Sequence, residues 1–434
     1  MRITMKSTAT RAVVGAAVAT LVLTGCRGSD GGSGDSSEAG PGITEEACPE
    51  AVNEDNGCIY LGTISDLTVG PFAPLAVPIT DAQKAFWDRV NADGGVGGYD
   101  VNVTEYVADS EYNPQIHNTK YQEMRGDILA LAQTLGSTQT LTILEDMKSD
   151  NVIGVPASWN SAWEFEDQIL ESGASYCFEA MNGVDWAVEN RGAENKVVAV
   201  GYPGDYGGDA AAGVEAAAEA NDLEFAKLET PPGQDNQAGA IGSILRENPD
   251  LVFVSTGPAE MATIVGGLAQ QGFQGTVVGS SPTWNPALLQ SAAKPALEAL
   301  YFQAGPWGPF GTDTPGHQAM RDALGDVTPN DGYTAGWAWS YPLLAALQQA
   351  ADNGGITRES LVEASGNLES VDYEGMLPPE AGATAGDPNE VAYRASVISS
   401  VDEDAPSGVS IEQDLTAGPT AQAYDFSAPC FNLQ

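Results

Sequence analysis

From residue 59 onward this chain alternates apolar runs of strand length with segments of helical pattern, and that rhythm limits the folds open to it. IYLGTIS (59–65), VNVTEYVA (101–108), ILALAQTL (128–135) and NVIGVP (151–156) read as strands, the second by alternation and the others as buried runs. VVAVGY (197–202), LEFAKLE (223–229), LVFVS (251–255) and TVVGS (276–280) repeat the pattern. Helices are expected between them at 209–222, in an Ala/Gly/Ile-rich segment ending near Arg246, and at 259–272. Strands separated by helices of about 10–15 residues form parallel sheets covered on both faces, with right-handed crossovers. So many units crowd a single sheet. The expectation is an α/β protein of two lobes, each built on an open twisted sheet.

Local signals refine this. Thr80 followed by Gln83 has the spacing of a capping box. The helix it would start carries Ala82, Phe86 and Val90 on one face and ends at Gly94-Gly95. The last third is less regular. ALYFQAG (299–305) reads as a strand, 336–355 as a long apolar helix bent at Pro342, 378–390 as a Pro/Gly/Ala loop and 391–401 as a late strand.

The N-terminus has its own logic. Arg2, Lys6 and Arg11 precede an apolar run from Ala12 to Leu23 that is too short for a stable membrane span, and Leu23-Thr24-Gly25-Cys26 follows. This segment resembles a bacterial lipoprotein signal with its lipobox. The resemblance implies that Cys26 is lipidated and anchors the chain to the outer face of the bacterial cytoplasmic membrane. The alternative is an ordinary secretory signal with an incidental cysteine, and either exports the chain. Residues 26–47 would then be a flexible tether, Gly/Ser-rich over 27–44. Four further cysteines, Cys48, Cys58, Cys177 and Cys430, suit two disulfides in an exported protein. Pairing Cys48 with Cys58 and Cys177 with Cys430 is simplest, although four cysteines allow three connectivities. The formal net charge of −43 excludes nucleic acid as a partner, because such a surface repels phosphate.

The order of segments resembles the type I periplasmic-binding fold of the leucine/isoleucine/valine group, the substrate-binding subunits of branched-chain amino acid ABC importers. SDLTVGPFAPLAVPITDAQKAFWDRVNADGGVGGYDVNV (65–103) is similar to the opening of that family. LGSTQT (135–140), VPASWN (155–160), GDYGGD (204–209), PPGQDN (231–236) and PAEMATIVGGLAQQGF (258–273) follow co-linearly, so the likeness covers about residues 59–400. It implies two Rossmann-like lobes joined by a three-crossover hinge, with a ligand cleft between them. The implied division is a signal over 1–25, the tether over 26–47, a first lobe from 48–177 plus 282–375, and a second from 178–281 plus 376–434. It also implies an ABC permease and ATPase as partners, and capture of a small amino acid, amide or aromatic acid without a cofactor or metal.

The candidate ligand-binding residues follow from the needs of such a solute. A carboxylate needs backbone N–H groups at a helix start and hydroxyls, which Gly136-Ser137-Thr138 and Ala157-Ser158 offer. An ammonium needs a carboxylate, and Glu260 stands where the family places its acidic anchor in the second lobe. Tyr206 matches the family's tyrosine that closes over the ligand. Phe72 and Trp159 bear on ligand identity. The family tends to carry small residues where Trp159 falls, which argues against a leucine-like ligand and leaves aromatic acids, amides or urea-like solutes open. Trp337 and Trp339 are expected in the core. An exported hydrolase is the rival. The chain has two histidines, His117 on an expected exposed helix and His317 in an expected loop, and it lacks Gly-x-Ser-x-Gly and His-Glu-x-x-His. No catalytic residue is therefore assigned. A sensory receptor module of the same fold is the other alternative.

Overall fold

The structure, a computed structural model, describes residues 40–432. The signal segment, Cys26 and the tether as far as residue 39 lie outside the described residues. The first sheet holds β1 (Ile43–Thr44), β2 (Gly57–Ser65), β3 (Tyr99–Asp109), β4 (Ala130–Leu135) and β5 (Gly154–Ala157). β2 runs parallel to β3 and β4, and β4 parallel to β5, while β1 pairs antiparallel with the start of β2. All six residues of β4 are buried, which is why that run carries no alternation. The connections are α1 (Ala73–Ala92), α2 (Pro114–Met124) and α3 (Ser137–Asp150).

The second sheet follows α4 (Tyr176–Arg191). It comprises β6 (Lys196–Gly201), α5 (Asp205–Ala220), β7 (Glu224–Glu229), α6 (Ala238–Glu247), β8 (Leu251–Ser255), α7 (Pro258–Gln270), β9 (Thr276–Gly279), α8 (Lys294–Leu300) and β10 (Tyr301–Gly305). The chain then returns to the first sheet's side with α9 (Pro315–Leu324), α10 (Asp331–Asp352) and α11 (Arg358–Ser365), α1 and α10 packing closely together. It ends on β11 (Ser396–Val401) and β12 (Val409–Thr416), which complete the order β12-β11-β10-β9-β8-β6-β7. The last two strands are antiparallel and the rest parallel. Two mostly parallel sheets flanked by helices are thus the α/β architecture expected.

Several local expectations are corrected. α1 starts at Ala73, about two turns before Thr80, because Pro74 presets the backbone of its first turn. Thr80 therefore lies inside the helix, where its hydroxyl donates to the Ala76 carbonyl and meets Gln133 Oε1, both at 2.9 Å. Pro78 is inside the helix too, and having no N–H it frees the Pro74 carbonyl. That oxygen accepts from Asn285 Nδ2 at 3.2 Å and Asn330 Nδ2 at 3.4 Å, tying α1 to the segment after β9 and to the start of α10. The strand expected at 299–305 joins the second sheet beside β9, so the return to the first lobe comes after Gly305 and not at residue 282. The late strand begins at Ser396, and β12 and α4 were not anticipated. α4 buries most of its first three turns on every side, which erases the apolar stripe that would betray a helix. His317 is on α9, with Thr314 as its cap, and not in a loop. His117 is on α2 as expected, but it is fully buried.

Both expected disulfides are present, Cys48 with Cys58 and Cys177 with Cys430. The second closes a span of 253 residues and pins the C-terminal tail to the start of α4.

A candidate ligand cavity at the seam

The C-terminal ends of the parallel strands face one another across a seam, the place where open α/β sheets hold small molecules. Each element brings its residue there for a local reason. After β2, Asp66 accepts the Gly70 N–H at 2.9 Å and the Phe72 N–H at 3.0 Å, shaping a tight loop that delivers the Phe72 ring. After β4, Gly136 turns the chain at φ +94°, and Ser137 opens α3. After β5 come Ser158 and Trp159. From the opposite side Tyr176 starts α4, Tyr206 lies in the first turn of α5, and Ser281 and Trp284 follow β9. α10 contributes Asp331 at its start and Trp339 farther along. These residues enclose a cavity of about 60 Å³.

The walls are aromatic. Trp159 packs against Trp339 at 4.8 Å and Tyr176 at 5.4 Å between ring centroids, Tyr176 against Tyr206 at 4.6 Å, and Phe72 against Tyr112 at 5.0 Å. Phe72 and Tyr206 meet across the seam at 6.1 Å. Polar groups are few. Ser137 Oγ and Trp159 Nε1 are buried and bond no other group among the described residues. Ser158 Oγ accepts from Trp163 Nε1 at 3.1 Å, and the Tyr206 hydroxyl bonds Ser280 Oγ at 2.6 Å. Among the described residues the single charged group of the lining is Asp331, whose Oδ1 accepts the Phe310 N–H at 2.8 Å. Burial raises its carboxyl to about 6. Among the described residues no lysine, arginine or histidine lines the cavity. The first turns of α3, α4, α5 and α10 converge on it, so the field inside favours an anion.

Of the residues singled out from sequence, Phe72, Ser137, Ser158, Trp159 and Tyr206 line this cavity. Thr138 and Glu260 do not. Thr138 is exposed on the outer side of the first turn of α3. Glu260 is drawn away by better partners: its Oε1 accepts the Gly233 N–H at 2.7 Å, and it also bonds the Tyr202 hydroxyl. Sequence reasoning missed Tyr112, Tyr176, Asp331 and Trp339. Trp339 was expected to be core, yet it faces the cavity, while Trp337 is core. α10 is apolar almost all round and carries no signal separating the two. Tyr176 was legible in principle, since Ser175 before it is an N-cap.

The histidines give no hydrolytic chemistry. His117 Nε2 bonds Thr134 Oγ1 at 2.9 Å, and burial lowers the ring to about 3. His317 Nδ1 bonds Thr314 Oγ1 at 2.7 Å, and burial lowers it to about 4. Among the described residues no group of three or more His, Cys, Asp or Glu could hold a metal ion, and no helix is long and apolar enough to cross a membrane.

A cavity lined from two mostly parallel-sheet lobes, at the C-terminal ends of their strands, is the architecture of a solute-binding protein. The chain belongs to the periplasmic binding protein family, whose model matches residues 59–404. Its structural neighbours are substrate-binding proteins of ABC transporters, which are not enzymes. It is similar to a fatty acid ABC transporter substrate-binding protein from Thermomonospora curvata. The identity is 28%, over 91% of this chain and 98% of that one, with a TM-score of 0.81. A substrate-binding protein from Aeropyrum pernix is 18% identical over 84% and 98% of the two chains, with a TM-score of 0.71. A branched-chain amino acid ABC transporter protein from Thermus thermophilus with bound valine is 17% identical over 85% and 98%, with a TM-score of 0.70. No curated protein sequence matches the chain significantly. Membership of this family implies an extracytoplasmic location.

Proposed function

We propose that this chain is the solute-binding subunit of an ABC importer, and that it captures a small monocarboxylate with an aromatic or aliphatic body and no ammonium group. The observation that carries this reading is the pair of buried, unbonded donors, Ser137 Oγ and Trp159 Nε1, in a cavity otherwise walled by rings. A buried donor without an acceptor costs about 1–3 kcal/mol, and a carboxylate would satisfy both. The start of α3 adds backbone N–H groups and a favourable dipole. The ammonium of an amino acid meets no free carboxylate among the described residues: Glu260 is bonded elsewhere, and Asp331 is raised by burial and already holds a backbone N–H. The 28% identical relative is a fatty acid substrate-binding protein, and a fatty acid is an apolar carboxylate of the kind proposed here. Ligand contact with both lobes would favour the closed state, which the permease would then receive. Lipidation at Cys26 would hold the protein at the outer face of the cytoplasmic membrane.

Calorimetry with matched pairs tests the ligand class. 3-Phenylpropanoate and 4-methylpentanoate are compared with phenylalanine and leucine, which share their side-chain shapes and add an ammonium. The expected order is tighter binding of the deaminated acids by tenfold or more. Tighter binding of either amino acid would overturn the reading.

A further inference from the structure

A second cavity, of about 360 Å³, lies away from the seam. It is bounded by the link from β5 to α4, which supplies Trp163, Glu164, Phe165 and Glu171, and by the link from α11 to β11, which supplies Thr384 and Tyr393. Both links cross between the two sheets. Its acids are unusual in what they lack. Glu171 is 8% exposed, and neither of its carboxyl oxygens has a hydrogen-bond partner among the described residues. Glu164, half-buried beside it, also has no ion pair or hydrogen bond among the described residues. Glu166, on the same wall, differs: Lys148 reaches it at 2.8 Å. Asp209, the other acid near Glu171, spends its oxygens on Ser161 and the Cys177 N–H.

Buried carboxylates are normally paired, and two that face one cavity unpaired repel each other. Burial raises Glu164 to about 7 and pushes Glu171 well above the usual carboxylate range, with the charges of Glu164 and Asp209 adding to the effect on Glu171. A bound cation would relieve both penalties at once. The geometry does not suit a metal, since no three ligating side chains gather here among the described residues. It suits an ammonium head with a hydrocarbon part, because Trp163 and Phe165 supply aromatic surface next to the acids. The net charge of −43 raises the local concentration of any cation.

We propose that this cavity is a second binding site, taking a small organic ammonium ion between Glu164 and Glu171 with its hydrocarbon part on Trp163 and Phe165. Because the walls belong to two links between the sheets, the bound ion also bridges the hinge.

Isothermal titration of the full chain with n-butylammonium chloride, against potassium chloride at equal ionic strength, tests this. Saturable binding of butylammonium that potassium does not reproduce is expected. Glu171→Gln and Glu164→Gln should each weaken it at least tenfold, whereas Ser137→Ala, in the seam cavity, should leave it unchanged. Glu164→Gln removes a carboxylate that bonds nothing, so it carries the test should Glu171→Gln fail to fold. No saturable heat beyond that of potassium chloride, or an unchanged affinity in the glutamine variants, would overturn the proposal and leave the two acids as simple proton holders.

Discussion

Ser137→Ala separates a binding role for the seam hydroxyl from a structural one, because the two readings predict opposite signs. Ser137 is 2% exposed and its Oγ bonds no other group among the described residues. Its removal therefore takes away an unsatisfied buried group, which relieves about 1–3 kcal/mol of burial cost and leaves a cavity of only one oxygen atom. Alanine also suits the first turn of α3 better than serine. The ligand-free protein should be unchanged or more stable, by up to about 1 kcal/mol once the small void is counted. Binding should move the other way. A hydroxyl donating to a carboxylate contributes about 1.5–3 kcal/mol, so affinity should fall roughly ten- to hundredfold. Urea unfolding of the empty protein and calorimetry with 4-methylpentanoate read the two effects separately. An affinity within twofold of the parent would refute the contact. A loss of more than about 1 kcal/mol of stability without ligand would mean that the hydroxyl serves the fold, as an ordinary helix cap does.

Two further outcomes are expected. Asp66→Ala removes the acceptor of the Gly70 and Phe72 N–H groups, so the urea midpoint should drop by the equivalent of about 1–3 kcal/mol and ligand should bind more weakly as Phe72 loses its support; unchanged stability would show that the loop holds itself. Burial keeps His117 neutral down to about 3, against 6.5 in the unfolded chain, so its stabilising effect is complete above 6.5 and is lost as pH falls toward 3. His117→Gln should flatten the pH dependence of stability across that window, and an identical slope in urea melts from pH 7 to 4 would contradict the assignment.

Much of the fold was legible because burial writes itself into hydrophobic pattern. β8 coincides with the apolar run 251–255, and β6, β7 and β9 fall within a residue or so of their runs. The failures have one cause. Thr80 and Gln83 make a plausible cap in isolation, but Pro74 starts the helix earlier, and the two polar groups turn inward to Gln133 and the Ala132 carbonyl. A capping signal is local, whereas those partners lie about fifty positions away.

The seam divides along the same line. Phe72, Ser137, Ser158 and Tyr206 stand just beyond strand ends, where topology alone sends a residue toward the ligand region, so their positions could be inferred from the chain. Glu260 also stands just beyond a strand, β8, yet the Gly233 N–H and the Tyr202 hydroxyl pull it out of the cavity. Trp339 and Trp337 are two positions apart on one buried helix, and only the packing of α10 against β5 and its neighbours decides which of them meets the cavity. Sequence by itself determined which residues leave water, through the period of the strands and helices. Tertiary structure alone decided whether a buried side chain meets another side chain or an enclosed space, because that depends on how two separately built lobes close upon each other.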